Sequence, residues 1–230
     1  MKKQAKFLSV LVAVIVAVAV PAYAGKDQVS PATRAVLQDP GYTKKDNNLH
    51  QIAGPAPGQG AAKAYRLYRS GAPSQKTFAK WCSEYGIERV IVMSGDAESH
   101  EFQYQSQGVC PNLKVVYNVK QKVGEPVSDA FLQWFDDQVE SAQRDQVGLL
   151  FRCQTGSHRT GRLAAYYQMK YEGLSRQDAI AVMNHLGLLM PLFDLPLKPQ
   201  VRALDEFIQG QPCDQRKKAC VAVNSRRYLP

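Results

Sequence analysis

Hydrophobic and polar positions along this 230-residue chain fall into three regimes. Residues 7–20 are almost wholly apolar and follow Lys2, Lys3 and Lys6. Residues 25–64 keep no sustained period: a helical turn over 31–37 gives way to a stretch rich in Gly, Pro and Asn through Gly60. From Ala64 the pattern becomes regular. Apolar runs at 65–68, 89–93, 113–119 and 147–152 predict strands, and the segments between them carry apolar residues at helical spacing. Phe78, Trp81 and Cys82 share one face of a predicted helix over 75–85, and 97–107 reads as a polar helix. Phe131, Phe135, Val139 and Ala142 share a face of a helix over 129–143, with Ser128 as its cap. Helices follow over 160–171 and 175–186, where Ser175 and Asp178 resemble a capping box and Gly173 and Gly187 act as stops, and a last helix covers 199–209. Strands alternating with helices predict the α/β class, with a mainly parallel central sheet flanked by helices on both faces.

The first regime reads as a targeting segment rather than part of the fold. A lysine-rich start, an apolar run and a small-x-small ending at Pro21-Ala22-Tyr23-Ala24 are the marks of a signal peptide over 1–24. The alternative is an uncleaved anchor, for which the run is short. Cleavage leaves a periplasmic or secreted chain with no membrane attachment. It is divided into an extended arm over 25–64, a main domain over 65–210 and a C-terminal tail over 211–230. The net charge of +9 includes the three lysines of the signal, so the exported chain carries +6, which suits an anionic substrate. Basic residues are scattered apart from Arg216-Lys217-Lys218 and Arg226-Arg227, and no aromatic nucleic-acid motif accompanies them. No nucleic-acid partner is therefore expected.

The chemistry concentrates at Phe151-Arg152-Cys153-Gln154-Thr155-Gly156-Ser157-His158-Arg159-Thr160-Gly161-Arg162. A predicted strand leads into this stretch and a predicted helix leads out. Strand, tight loop and helix N-terminus aim successive backbone N–H groups at one point, a natural seat for a phosphate dianion. The same field favours the thiolate of Cys153, and the guanidinium of Arg159 can fork onto two phosphate oxygens. If Cys153 stays free as a nucleophile, Cys82, Cys110, Cys213 and Cys220 remain, with three ways to form two bridges. We favour Cys213–Cys220, closing a short loop, with Cys82–Cys110, joining a helix to the turn before the next strand. Four buried thiols are the alternative. The chain has no Cys-x2-Cys, and His50, His100, His158 and His185 lack ligand spacing, so no metal site is expected.

Cys-x5-Arg followed by Thr-Gly resembles the signature loop of the cysteine-dependent phosphatases. Upstream, Tyr68-Arg69-Ser70-Gly71-Ala72-Pro73-Ser74 and Gly86-Ile87-Glu88-Arg89-Val90-Ile91-Val92 are similar to the opening of the bacterial dual-specificity-like branch. The resemblance spans roughly residues 65–187. It implies a protein-tyrosine-phosphatase-like fold and hydrolysis of phosphate monoesters through a phosphocysteine, without metal or cofactor. On this reading Cys153 is the nucleophile. Backbone groups of Gln154, Thr155, Gly156, Ser157 and His158, with Arg159, hold the phosphoryl oxygens, and Thr160 hydrogen-bonds the sulfur. Arg162 is expected to point along its helix to solvent.

Two departures from the family stand out. Arg152 precedes the cysteine where the family has histidine, and a cation there could favour the thiolate. No aspartate follows the 113–119 strand directly, where the family carries its general acid. Glu125, on a loop flanked by Gly124 and Pro126, is the first candidate, followed by Asp129 and Asp96. The expected partner is a phosphorylated small molecule or a phosphoprotein. An inositol polyphosphate stands slightly ahead, as in the phytase-like members, with Lys120 and Lys122 overhanging the pocket. A phospho-ligand binding module without turnover and a sulfurtransferase are the competing classes.

Overall fold

The computed structural model describes residues 45–55, 64–187, 196–214 and 218–230. The signal over 1–24 and the helical turn over 31–37 lie outside the described residues. Five strands form one sheet: β1 (His50–Ala53), β2 (Arg66–Ser70), β3 (Ile87–Val92), β4 (Lys114–Asn118) and β5 (Gly148–Arg152), in the order β1-β2-β5-β3-β4. All pairings are parallel except β1 with β2. The class is α/β with a mainly parallel sheet, as expected. The antiparallel edge strand was not anticipated, because it lies inside the stretch read as an arm.

Beyond a single helical turn over Lys45–Asn48, the helices among the described residues are α1 (Gln75–Ser83), α2 (Glu101–Ser106), α3 (Asp129–Asp145), α4 (His158–Tyr171), α5 (Arg176–Leu186) and α6 (Leu197–Ile208). The polar helix expected over 97–107 is broken at His100 into a 3-10 turn, Ala97–Ser99, and α2. Two N-caps follow the sequence signals, Ser128 and Ser175, and Ser74 is a third that the sequence reading did not name. They accept from the N–H groups of Phe131, Asp178 and Thr77 in turn, which satisfies donors that a helix start leaves unpaired.

Alternation along β5 explains the layers. Leu149 and Phe151 face one side, against Phe135 and Val139 of α3, Leu163 and Tyr166 of α4 and Val201 of α6. Leu150 faces the other, with Tyr68, Phe78, Trp81, Val90 and Val92. Every residue of β5 is buried, as a central parallel strand covered by helices on both faces requires. In register, Ser70 and Val92 flank Arg152, so three strands end at one level. Cys153 follows directly, outside the carboxyl ends of the strands where open α/β sheets hold their ligands.

Both expected disulfides are present, Cys82–Cys110 and Cys213–Cys220, with Cα separations of 5.8 and 5.9 Å. The C-terminal tail packs back on the domain, where Ala222 bridges to Ser128 in parallel. No helix among the described residues is long and apolar enough to cross a membrane.

Candidate active site

Cys153 is free and buried between the end of β5 and the start of α4. The loop it opens is shaped by Gly156, whose φ of +71° suits only a residue without a side chain. A Cβ there would stand 2.6 Å from the Gly71 nitrogen and 2.7 Å from the Ser70 carbonyl carbon. Gly71 is equally confined, since its Cβ would lie 2.9 Å from the Thr155 carbonyl carbon. The turn after β2 and the loop after β5 are therefore pressed together backbone to backbone.

Three hydrogen bonds fasten that contact. The Ala72 N–H donates to the Gln154 carbonyl at 3.0 Å, Arg69 Nη2 to the Gly156 carbonyl at 2.6 Å, and Asn48 Nδ2 to the Thr155 carbonyl at 3.4 Å. Tyr68-Arg69-Ser70-Gly71 thus serves the loop: the glycine allows the approach and the buried arginine holds the loop's carbonyl outward. With the Gln154, Thr155 and Gly156 carbonyls bound behind, the loop can turn N–H groups toward an anion.

Ser157 begins α4 without a side-chain cap bond, leaving the helix N-terminus open toward the cysteine. Burial pushes the Cys153 thiol pKa up. The Thr160 hydroxyl, the Arg159 charge and the backbone N–H groups of Thr160 and Thr155 outweigh it and hold the thiol below its ordinary value. The Thr160 hydroxyl also donates to the Ser70 carbonyl at 3.3 Å.

Arg159 Nη1 donates to the Met93 carbonyl at 3.0 Å and to the Gln121 carbonyl at 3.2 Å. These bonds fix the guanidinium plane from the ends of β3 and β4. Its buried Nε has no hydrogen-bond partner among the described residues. A buried unsatisfied donor costs about 1–3 kcal/mol, and a phosphate oxygen would satisfy it. His158 sits half-buried at the rim, its pKa lowered by burial and by Arg159, so it is neutral near pH 7. Gln154 and Thr155 are exposed, while Gly156 and Ser157 are buried.

Two expectations about arginines are corrected. Arg152 does not attend the sulfur. Its buried side chain turns toward α2, where Nε donates to Glu101 Oε1 at 2.6 Å and Nη2 to Glu101 Oε2. Nη1 donates to Asp96 Oδ1 at 2.7 Å and to Ser94 Oγ at 2.9 Å. Arg162 does not reach solvent, because residues 160–169 of α4 are all buried and the helix has no exposed face there. Its guanidinium donates to the Glu125 carbonyl at 2.7 Å, to Gln121 Oε1 at 3.0 Å and to Gln200 Oε1. Burial brings its pKa down to about 10, with the Arg159 charge adding to the effect, so it stays protonated.

The three acid candidates are all held by donors. Asp96 lies against Arg152 and Ser94, which outweigh its burial and lower its pKa. The Asp129 carboxylate accepts from the backbone of Ala130, Asn224 and Ser225, and these bonds outweigh its burial and lower its pKa. Glu125 is partly exposed and meets Lys122 Nζ and the Tyr228 hydroxyl, each at 2.8 Å, which lower its pKa. Asp96 and Asp129 have evident structural duties. Glu125 sits on the loop whose Gln121 carbonyl accepts from Arg159, as Asp96 follows Met93, whose carbonyl does the same. Lys122 is exposed and pairs with Glu125, and Lys120 is exposed on the same loop.

Sequence reasoning missed Glu101, Gln121, Gln200 and Tyr228. Glu101 opens a helix on the far side of β3, and Tyr228 comes from the tail. No local pattern announced either.

A buried free cysteine, a loop shaped by Gly156 and a guanidinium with an unpartnered buried Nε meet at the strand ends of an α/β sheet, an arrangement that can hold an anion beside a thiol. No protein-family model and no curated protein matches the chain. Solved structures do. TpbA from P. aeruginosa, in complex with pTyr, aligns at 22% identity over 62% of this chain and 85% of its own, with a TM-score of 0.49. The core catalytic domain of the PP-IP phosphatase SIW14 from S. cerevisiae, in complex with citrate, aligns at 20% identity over 66% and 84%, with a TM-score of 0.44. PTPMT1 in complex with PI(5)P aligns at 11% identity over 63% and 90%, with a TM-score of 0.45. The chain is similar to these cysteine-dependent, protein-tyrosine-phosphatase-like phosphatases.

Proposed function

We propose that this chain is an exported cysteine-dependent phosphatase that hydrolyses phosphate monoesters through a phosphocysteine. The observation that carries the reading is the free Cys153, its thiol held below the ordinary value under an open helix N-terminus, beside the unpartnered Nε of Arg159. In the first step Cys153 Sγ forms a bond to phosphorus while the bond to the ester oxygen breaks. The leaving oxygen takes a proton from an acid on the 120–129 loop, for which Glu125 is the candidate, acting from its protonated form although Lys122 and Tyr228 lower its pKa. Loop N–H groups and Arg159 hold the three equatorial oxygens as their charge grows. In the second step water attacks phosphorus and gives a proton to the Glu125 carboxylate, the S–P bond breaks, and inorganic phosphate and the thiolate are released. The Thr160 hydroxyl stabilises that departing thiolate. Gln154, Thr155, Gly156, Ser157 and His158 line the substrate side of the loop.

For substrate we propose an inositol polyphosphate. The solved relatives that bear on this are the PP-IP phosphatase SIW14 and PTPMT1 with PI(5)P, and the exposed Lys120 and Lys122 suit a ring carrying several phosphates. The complex of TpbA with pTyr supports the second reading, a protein phosphatase. Both disulfides accord with an oxidising compartment.

The test is phosphate release from inositol hexakisphosphate, phosphotyrosyl peptide, phosphoseryl peptide and p-nitrophenyl phosphate. We expect turnover, a burst of the first product, and a loss on the order of 10⁴-fold or more in Cys153→Ser with ligand binding retained. Binding without a burst or turnover would show a phospho-ligand module instead. Cleavage of phosphotyrosine with phytate untouched would move the substrate to proteins.

A further inference from the structure

The last residues of the chain lie along the loop between β4 and α3. The Ala222 N–H donates to the Val127 carbonyl at 3.0 Å and the Asp129 N–H to the Ala222 carbonyl at 3.2 Å. The N–H groups of Asn224 and Ser225 cap the Asp129 carboxylate at 2.7 and 3.3 Å, and Ser128 Oγ donates to the Arg227 carbonyl. The Tyr117 hydroxyl donates to the Tyr228 carbonyl at 2.8 Å. From the opposite side the same loop is held by the catalytic helix: Arg159 reaches the Gln121 carbonyl and Arg162 the Glu125 carbonyl. A loop gripped on both faces cannot swing freely.

We propose that this C-terminal strap is a positioning element for the loop that carries the acid, and that Tyr228 is the residue through which it acts. The inference rests on the phosphatase reading above. Its ground is the double use of one hydroxyl. Tyr228 Oη accepts from the Lys122 N–H at 2.9 Å and donates to Glu125 Oε2 at 2.8 Å. It thereby fixes the carboxylate relative to the loop's own backbone. Lys122 Nζ holds the other carboxylate oxygen from an exposed position, so Tyr228 supplies the less solvated of the two restraints. The Cys213–Cys220 bridge closes the segment that leads into the strap and shortens its tether. The strap adds no group to the reacting atoms; it sets where Glu125 stands.

The test is Tyr228→Phe, which keeps the ring and removes the hydroxyl, assayed with a series of phosphate monoesters whose leaving-group pKa runs from activated aryl to alkyl. Positioning of an acid predicts a kcat loss of about tenfold for alkyl leaving groups, a fraction of the full general-acid effect, with little change for activated aryl esters or in KM. It also predicts that Tyr228→Phe in a Glu125→Gln background costs nothing further, since both changes act through one group. Hydrogen exchange across residues 120–126 should speed up in Tyr228→Phe. A leaving-group dependence identical to wild type, or losses that simply add in the double variant, would overturn the inference and leave the phosphatase reading intact. A wild-type chain that turns over no phosphomonoester would instead sink that reading and the positioning role together.

Discussion

Gly156 shows how little freedom the site has at the level of one residue. Gly156→Ala must place a Cβ against the Ser70–Gly71 backbone while holding a positive φ. We expect strain of about 1–3 kcal/mol from the backbone conformation alone. Turnover should fall far more than thermal stability, because the loop's N–H groups lose their common focus. Parallel measurement of the melting midpoint and kcat/KM checks this. Thr160 supports a second prediction. The thiol pKa is depressed, so the thiolate persists as pH drops below the ordinary thiol value of about 8.5, and the rising limb of kcat/KM should lie under it. Thr160→Val removes a donor to the anion and should move that limb upward. A limb unmoved in the variant would count against the hydroxyl's role. The grouping of Cys153, Arg159 and Thr160 was legible in the sequence because it is local to one loop. Arg152 and Arg162 were not, because their partners come from α2, α6 and the 120–125 loop, and burial decided where each guanidinium went.

Among the elements, the strands and helices from residue 65 onward could be read from periodicity and caps. β1 could not: four residues beside a Gly/Pro-rich stretch carry too short an alternation to stand out. Its neighbour in sequence matters to the site, since Asn48 reaches the Thr155 carbonyl and the Asn47 carbonyl accepts from the Gly71 N–H at 2.7 Å. The disulfides were inferred from compartment and spacing, and the bridge between Cys82 and Cys110 spans 28 positions. Replacing both of these cysteines by alanine should cost about 3–4 kcal/mol by the chain-entropy account. Denaturant unfolding measures that loss. Cys82 stands at the end of α1 away from the Ser70–Ala72 turn, with its Sγ 3.7 Å from the Ile87 carbonyl at the start of β3, so kcat at low temperature should hardly change.

For the whole molecule, the acid limb of stability follows from the carboxylates described above. Asp96 and Asp129 have folded pKa values below the ordinary value of 3.8. Their contribution is complete above that value and is lost as pH falls through the lower folded values. Urea midpoints should therefore hold steady down to about pH 4 and drop steeply below it. A steady midpoint at pH 2 would contradict the ion pairing of Asp96 with Arg152.

That pairing also constrains how this chain can vary over time. Arg152→His alone would restore the residue that the phosphatase motif has before its cysteine, yet strand the fully buried Glu101 without a counter-charge, at a cost of about 3–5 kcal/mol. The reverse single change is blocked in the same way. An exchange between arginine and histidine at 152 therefore requires positions 101 and 152 to change as a coupled set, with 96 following. Close homologues should show these positions co-varying, so that an acidic residue at 101 marks an arginine at 152 even where the catalytic loop itself is hard to align.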